Sequence, residues 1–245
     1  MLFFSKKYFI VDFLEGLTDM HCHILPNIDD GSKDYAMSLE MVKQFSELGY
    51  KGVIATPHIM DGFYDNTAEG IIEAFNEIQS YLSKNGYANF IKSAAAEYMI
   101  DAGFDGLTEN KEFLPIVKNN VLVEMSYLQP PFKVNEQLFQ LQLKGFKPIL
   151  AHPERYPYLS DMTSVLKFKT KGCCLQLNLL SLGGHYGKEA FKQAFSLLEK
   201  NHYDYLGTDA HHPGHFNVLK RITIPKKTVQ YFEALVIRTK ENLIN

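Results

Sequence analysis

Two histidines one residue apart, His21 and His23, are followed in the same loop by the adjacent carboxylates Asp29 and Asp30, so residues 18–34 concentrate metal-ligating groups. The same residue types recur downstream at wide spacing: His58 in "ATPH", Glu97 in "AAEYM", Glu124 in "VLVEMS", His152 in "AHPER", and Asp209 with His211 in "GTDAHH". Imidazole and carboxylate donors without thiolate suit manganese, iron or zinc, and a carboxylate such as Glu97 can bridge neighbouring ions. His21, His23, Asp30, His58, Glu97, Glu124, His152, Asp209 and His211 make nine candidates, too many for one tetrahedral or octahedral ion. A cluster of two or three cations is implied. Asp29 keeps two readings, a further ligand or a cap for the helix that follows. Singly, each piece has a plainer explanation. An isolated HxH can be one core and one exposed histidine, Glu97 a helix cap or a lysine's partner, and Asp209 a turn residue. Their coincidence selects the metal site.

The elements that position these residues are legible from periodicity. Short apolar, β-rich runs occupy residues 17–24, 52–58, 90–99, 120–126, 146–155, 174–181 and 203–212, and all but the sixth end in or near a candidate ligand. Between the first two, Met37, Met41, Phe45 and Leu48 share a helical face, with Ser32 as the expected cap and Gly49 as the stop. Further helices are expected over residues 67–84, 135–144, 188–200 and 228–243, so strand and helix alternate and the class is α/β. In a closed parallel barrel all strand ends meet on one face, where such enzymes build their active sites. Residues 100–120 read as one long irregular section, either a surface excursion or a loop overhanging the site.

At 245 residues, with no repeat, low-complexity tract or Pro/Gly/Ser linker, the expected organisation is a single domain over residues 1–245, with residues 1–17 as an N-terminal arm packing on the body. A net charge of −3 with dispersed signs offers no basic surface for nucleic acid or anionic lipid. Lys6, Lys7, Asp12 and Glu15 interrupt any signal-peptide core at the N-terminus, and no apolar run is long enough to cross a membrane. Cys22, Cys173 and Cys174 are odd in number and include an adjacent pair, a poor disulfide framework that fits a reducing, cytoplasmic setting. None is followed six residues later by arginine, so a thiolate phosphatase loop is absent. Cys22, between the histidines, is expected to point into the barrel wall. His185 and His202 read as surface residues, and Gly183, Gly184 and Gly187 as a flexible turn.

The segments "DMHCHILPNIDDG", "ATPH", "AAEYM", "VLVEMS", "LFQLQLKGFKPILAHPERY" and "GTDAHH" together resemble the polymerase and histidinol phosphatase (PHP) superfamily, and more narrowly the bacterial PHP-type protein tyrosine phosphatases of capsule and exopolysaccharide systems. The resemblance spans residue 18 to about residue 212. It implies a distorted TIM-like (β/α)7 barrel, the PHP fold, holding three divalent ions, often Mn2+. By that likeness His21, His23, Glu97 and Asp209 hold one ion; Glu97, Glu124 and His152 hold a second; Asp30, His58 and His211 hold the third. The implied substrate is phosphotyrosine on the tail of a membrane-associated bacterial tyrosine autokinase that controls polysaccharide export.

The chemistry of the residues agrees with phosphate-ester hydrolysis. Four carboxylates against three divalent ions leave a net positive site that attracts a phosphate dianion. A hydroxide bridging the ions is the expected nucleophile, attacking phosphorus in line. Tyrosinate, with a reference pKa of about 10, leaves more readily than a serine alkoxide. Arg155 is the expected guanidinium clamp on the phosphate, completing a catalytic set with Asp209 and His152. Family members often carry a second arginine after the final DxH. This chain offers His212 and His215 there instead, and either of them, or Arg221 folding back, is a candidate substrate contact. A small-molecule phosphomonoesterase of the histidinol-phosphate type and a weakly catalytic phosphotyrosine-binding regulator are the alternatives. A PHP exonuclease lacks its polymerase domains and DNA track here.

Overall fold

The computed structural model describes residues 7–110 and 112–244. The chain enters through β1 (Tyr8–Phe9) and a 3-10 turn (Ile10–Phe13), and Ile10, Leu14 and Leu17 are fully buried. This is the described part of the expected arm; residues 1–6 lie outside the described residues.

All seven expected strands form. β2 (Thr18–Cys22) runs parallel to β3 (Gly52–Ala55), and β3 to β5 (Ile91–Ala94). β3 and β5 each pause for two residues and resume as β4 (His58–Ile59) and β6 (Glu97–Met99), which pair in turn. Pro57 supplies no amide to the ladder, which accounts for the first pause, yet its carbonyl still accepts the amide of Glu97 at 3.0 Å. β7 (Asn120–Glu124), β8 (Lys147–Ala151), β9 (Cys174–Asn178) and β10 (Tyr205–Gly207) follow in chain order, each parallel to its predecessor. The ring closes where the Asp209 amide donates to the His21 carbonyl at 2.7 Å and the His23 amide to the Ala210 carbonyl at 3.0 Å. The result is a distorted, parallel seven-stranded barrel with helices outside it.

Alternation sorts the side chains. Val121, Val123, Leu150, Leu175 and Leu177 join the large core between strands and helices, whereas Leu122, Ile149, Cys174 and Tyr205 meet Met20 and Ile54 in a smaller cluster inside the barrel. Glu124, Gln176 and Asn178 share that inward parity, so polar groups stand above an apolar plug. In β2 the register shifts between Asp19 and Cys22, which lets Met20 join the inner cluster while Cys22 packs in the outer one.

The five expected helices are α1 (Tyr35–Glu47), α2 (Ala68–Lys84), α4 (Val134–Leu143), α6 (Lys188–Glu199) and α8 (Lys226–Ile244). Three short ones escaped the periodicity: α3 (Phe104–Asn110), inside the section expected to be irregular, α5 (Met162–Thr170) and α7 (Pro213–Leu219). At seven to nine residues they offer too few turns for an apolar stripe to register. The cap of α1 is Asp34, whose carboxylate accepts the Met37 amide at 2.8 Å, and not Ser32. Ser32 Oγ is engaged with Ser38 Oγ at 2.8 Å. After α7, β11 (Thr223–Ile224) pairs antiparallel with β1. Among the described residues, no helix is long and apolar enough to cross a membrane.

Candidate metal centre

Because every barrel strand runs the same way, the ends of β2, β7, β8 and β10 and the short continuations β4 and β6 open on one face. His21 lies in β2 and His23 just past it, Asp29 and Asp30 follow in its loop, His58 and Glu97 begin β4 and β6, and Glu124 ends β7. His152 follows β8, and Asp209 and His211 follow β10. His152 (φ 33°) and Asp209 (φ 52°) adopt left-handed backbone, which costs of order 1–3 kcal/mol for a non-glycine residue and concentrates where a side chain must be aimed.

Glu97 is the hub. Its Oε2 lies 3.1 Å from His21 Nε2, 3.4 Å from His23 Nε2 and 3.3 Å from His58 Nδ1, while Oε1 lies 3.0 Å from His152 Nε2. Asp209 Oδ1 is 3.3 Å from His21 Nε2 and 3.2 Å from His23 Nε2. Glu124 Oε1 is 2.8 Å from His58 Nδ1, and its Oε2 is 4.0 Å from His152 Nε2. Asp30, more exposed, places Oδ1 3.5 Å from both His58 Nε2 and His211 Nε2.

Three overlapping groups could each hold a cation, with donor atoms all within 4.8 Å of one another: His21, His23, Glu97 and Asp209; His58, Glu97 and Glu124; and His23, Asp30, His58 and His211. His152 falls outside this criterion but flanks the second group. Glu97 Oε2, Glu124 Oε1 and His58 Nδ1 are buried without a well-directed hydrogen-bond partner. Each such orphan costs about 1–3 kcal/mol, so the donor set fits divalent cations better than it fits pairing among its own members.

The surrounding residues aim the donors. Asp29 is neither a helix cap nor central: its Oδ2 accepts from His23 Nδ1 at 2.7 Å and from the His58 amide at 3.1 Å. Gln176 Oε1 lies 3.2 Å from His21 Nδ1, and the Asp209 carbonyl lies 2.9 Å from His211 Nδ1. Each contact engages Nδ1 and leaves Nε2 facing the centre, the usual way a protein orients an imidazole ligand. Gln176 and Asn178 escape the sequence reading; the signal for them is two polar residues at alternate positions of an otherwise apolar β9.

The carboxylates and imidazoles of the cluster shift one another strongly. Burial alone would raise Glu97 and Asp209, yet His21 and its neighbours hold both carboxyls well below the usual range. Burial and His23 work to lower His58, but Glu124 and Glu97 carry it up to about 9. The thiols of Cys22, Cys173 and Cys174 are all buried, and burial pushes each up, away from nucleophilic thiolate.

Arg155 follows His152 in a 3-10 turn (Pro153–Arg155), lies over the Tyr186 ring at 3.8 Å and the Tyr127 ring at 4.7 Å, and donates from Nη1 to Asp209 Oδ2 at 2.6 Å. Asn178 Nδ2 donates to the same oxygen at 2.8 Å. A cavity of about 400 Å3 opens behind Arg155 and Tyr186, toward α6, and not over the candidate metal donors. The expected phosphate role of His215 meets a different geometry. It lies within α7 with its side chain buried, and its Nδ1 accepts the His211 amide at 3.2 Å, which makes it a support for the DxH segment. His212 is exposed at the start of α7 with its ring 4.0 Å from that of His215, and Arg221 is exposed just beyond α7.

Over residues 17–244 the sequence matches the family described as capsular polysaccharide synthesis, CpsB/CapC. It is 31% identical to the tyrosine-protein phosphatase YwqE of Bacillus subtilis over 197 residues, 80% of this chain and 77% of that protein. It is 27% identical to the putative tyrosine-protein phosphatase CapC of Staphylococcus aureus over 89% of this chain and 87% of that one. A crystal structure from a study of YwqE from Bacillus subtilis and CpsB from Streptococcus pneumoniae, described as unique metal-dependent tyrosine phosphatases, superposes with a TM-score of 0.73 at 27% identity. That superposition covers 91% of this chain and 95% of the other.

Proposed function

Because the chain belongs to the CpsB/CapC family of capsular polysaccharide synthesis, we propose that it is a metal-dependent protein tyrosine phosphatase acting in the cytoplasm on the phosphotyrosine tail of a bacterial tyrosine autokinase. The observation that carries this reading is Glu97 Oε2, set among three imidazole nitrogens at 3.1–3.4 Å with no proton donor directed at it.

The donor set fits three divalent ions, manganese by family likeness, with iron and zinc sharing the same ligand preferences. His21, His23, Glu97 and Asp209 would hold the first. Glu97 and Glu124, with His152 and His58 beside them, would hold the second, and Asp30, His58 and His211 the third. When bound, such ions acidify water and neutralise the charge developing on the phosphoryl group and its leaving oxygen. The chain's own residues do the rest. Asp29 and Gln176 fix the His23 and His21 rings, and Asn178 and Arg155 share one Asp209 oxygen so that the other stays turned to the centre. Arg155 keeps its remaining N–H donors for phosphate oxygens. No strong general acid is required, since a tyrosinate with a reference pKa of about 10 leaves readily.

The test is turnover of a phosphotyrosine peptide beside histidinol phosphate with manganese supplied. Peptide hydrolysis that stops in chelator and survives iodoacetamide is expected. Preference for histidinol phosphate, or cysteine-dependent inactivation with activity retained after metal stripping, would overturn the proposal.

A further inference from the structure

The tyrosines around Arg155 divide by what their hydroxyls do. Tyr156 Oη accepts the Met125 amide at 3.0 Å, Tyr158 Oη donates to the Ser126 carbonyl at 2.7 Å, and Tyr186 Oη accepts from Asn178 Nδ2 at 3.2 Å. Tyr127 differs. Among the described residues its hydroxyl meets only His152 Nε2, at 3.5 Å, the outer limit of a hydrogen bond. That nitrogen already faces Glu97 Oε1 at 3.0 Å, and a lone pair given to a cation there is no longer an acceptor.

The ring, in contrast, is firmly held. It stacks on Tyr156 (5.5 Å between centroids, 26°), which stacks on Tyr158 (5.7 Å, 19°), and the Arg155 guanidinium covers it at 4.7 Å. Tyr156 and Tyr158 also grip the two residues before it, Met125 and Ser126, through the bonds just described. At 37% exposure the residue is not sealed into the core. A phosphoryl group presents three equatorial oxygens, and Arg155 has committed Nη1 to Asp209. Of the other candidates, His215 spends Nδ1 on the His211 amide, and His212 and Arg221 are exposed at the two ends of α7.

We infer that the Tyr127 hydroxyl is a second phosphate donor, placed beside Arg155 to bind a nonbridging oxygen of the substrate's phosphoryl group. The inference rests on the phosphatase reading for the identity of that ligand. Tyr127 acts as a neutral phenol, and no proton is transferred.

The experiment compares manganese-loaded wild type, Tyr127→Phe and Tyr127→Ala. Phenylalanine keeps the stack on Tyr156 and the cover of Arg155 and removes only the O–H. Tyr127→Phe is expected to keep the wild-type melting temperature and manganese content, to bind inorganic phosphate several-fold more weakly in calorimetry, and to lose roughly ten- to hundredfold in kcat/KM on phosphotyrosine peptide. Phosphate affinity within twofold of wild type, with a deficit only in Tyr127→Ala, would make the residue a packing element and overturn the inference. Loss of manganese from Tyr127→Phe would make it a support of His152 and overturn it equally. Wild type that binds phosphate but leaves the peptide intact would count against the activity alone, because the phosphate comparison still decides Tyr127.

Discussion

Asp209 joins the candidate metal donors to the proposed phosphate clamp at the level of single side chains. One of its oxygens faces His21 and His23, and the other receives Arg155 at 2.6 Å and Asn178 at 2.8 Å. On the proposed function Arg155 would have two jobs, orienting Asp209 through this contact and gripping the substrate's phosphate, and a substitution would disturb both. Arg155→Ala is expected to lower kcat/KM on phosphotyrosine peptide by some 30- to 1000-fold, about 2–4 kcal/mol. Arg155→Lys should recover only part, since an ammonium cannot reproduce the planar fork. Measuring both variants at rising manganese separates the roles. If excess metal restores Arg155→Ala fully, the guanidinium works through Asp209 and not on phosphate.

The elements succeed as a scaffold because two of them approach unusually closely. Gly207 in β10 lies against β2, and a Cβ there would fall 2.8 Å from His21 Cβ and 3.1 Å from Gln176 Nε2. A hydrogen is all that fits between β10 and the His21 side chain it backs. Gly31 does the same for the loop after β2, where a Cβ would fall 2.2 Å from the His23 carbonyl. Gly207→Ala is expected to displace His21 or Gln176, destabilising by about 1–3 kcal/mol as overpacking does. The diagnostic readout is metal content, which should fall while far-ultraviolet circular dichroism stays native. Undiminished manganese binding would show that β10 can yield without moving His21.

Across the whole molecule, the seam that closes the barrel runs through a buried carboxyl. Asp19 on the first strand accepts the Thr208 amide at 2.9 Å and the Thr208 hydroxyl at 2.8 Å, beside the last strand. Burial raises its pKa to about 7, with the Thr208 bonds opposing, against about 3.9 in an unfolded chain. Between about pH 4 and pH 7 the folded state thus keeps a proton that the unfolded state has released. Asp19 therefore makes stability fall as pH rises through that window and level off above it. Asp19→Asn, which has no charge to desolvate, should lose less melting temperature than wild type between pH 5 and pH 8 in metal-stripped protein. Parallel slopes for the two proteins would show that Asp19 titrates as an ordinary surface carboxylate.

What the sequence determined by itself was local: seven apolar runs, the helix between the first two, and histidines and carboxylates at or just past strand ends. Those features depend on residue type and on periods of two or 3.6 residues, so neighbours along the chain suffice to read them. Tertiary structure decided what depends on residues far apart in sequence. Gln176 engages His21 across 155 positions, Asp29 serves His23 and the His58 amide instead of capping α1, and His215 turns inward to hold His211. Tyr127 becomes notable only once Tyr156, Tyr158 and Tyr186 are seen to have spent their hydroxyls. A hydrogen bond is made or lost within a few tenths of an ångström and a few tens of degrees. Strand periodicity tells which residues reach the barrel mouth, but only the packed barrel sets the angles at which they meet.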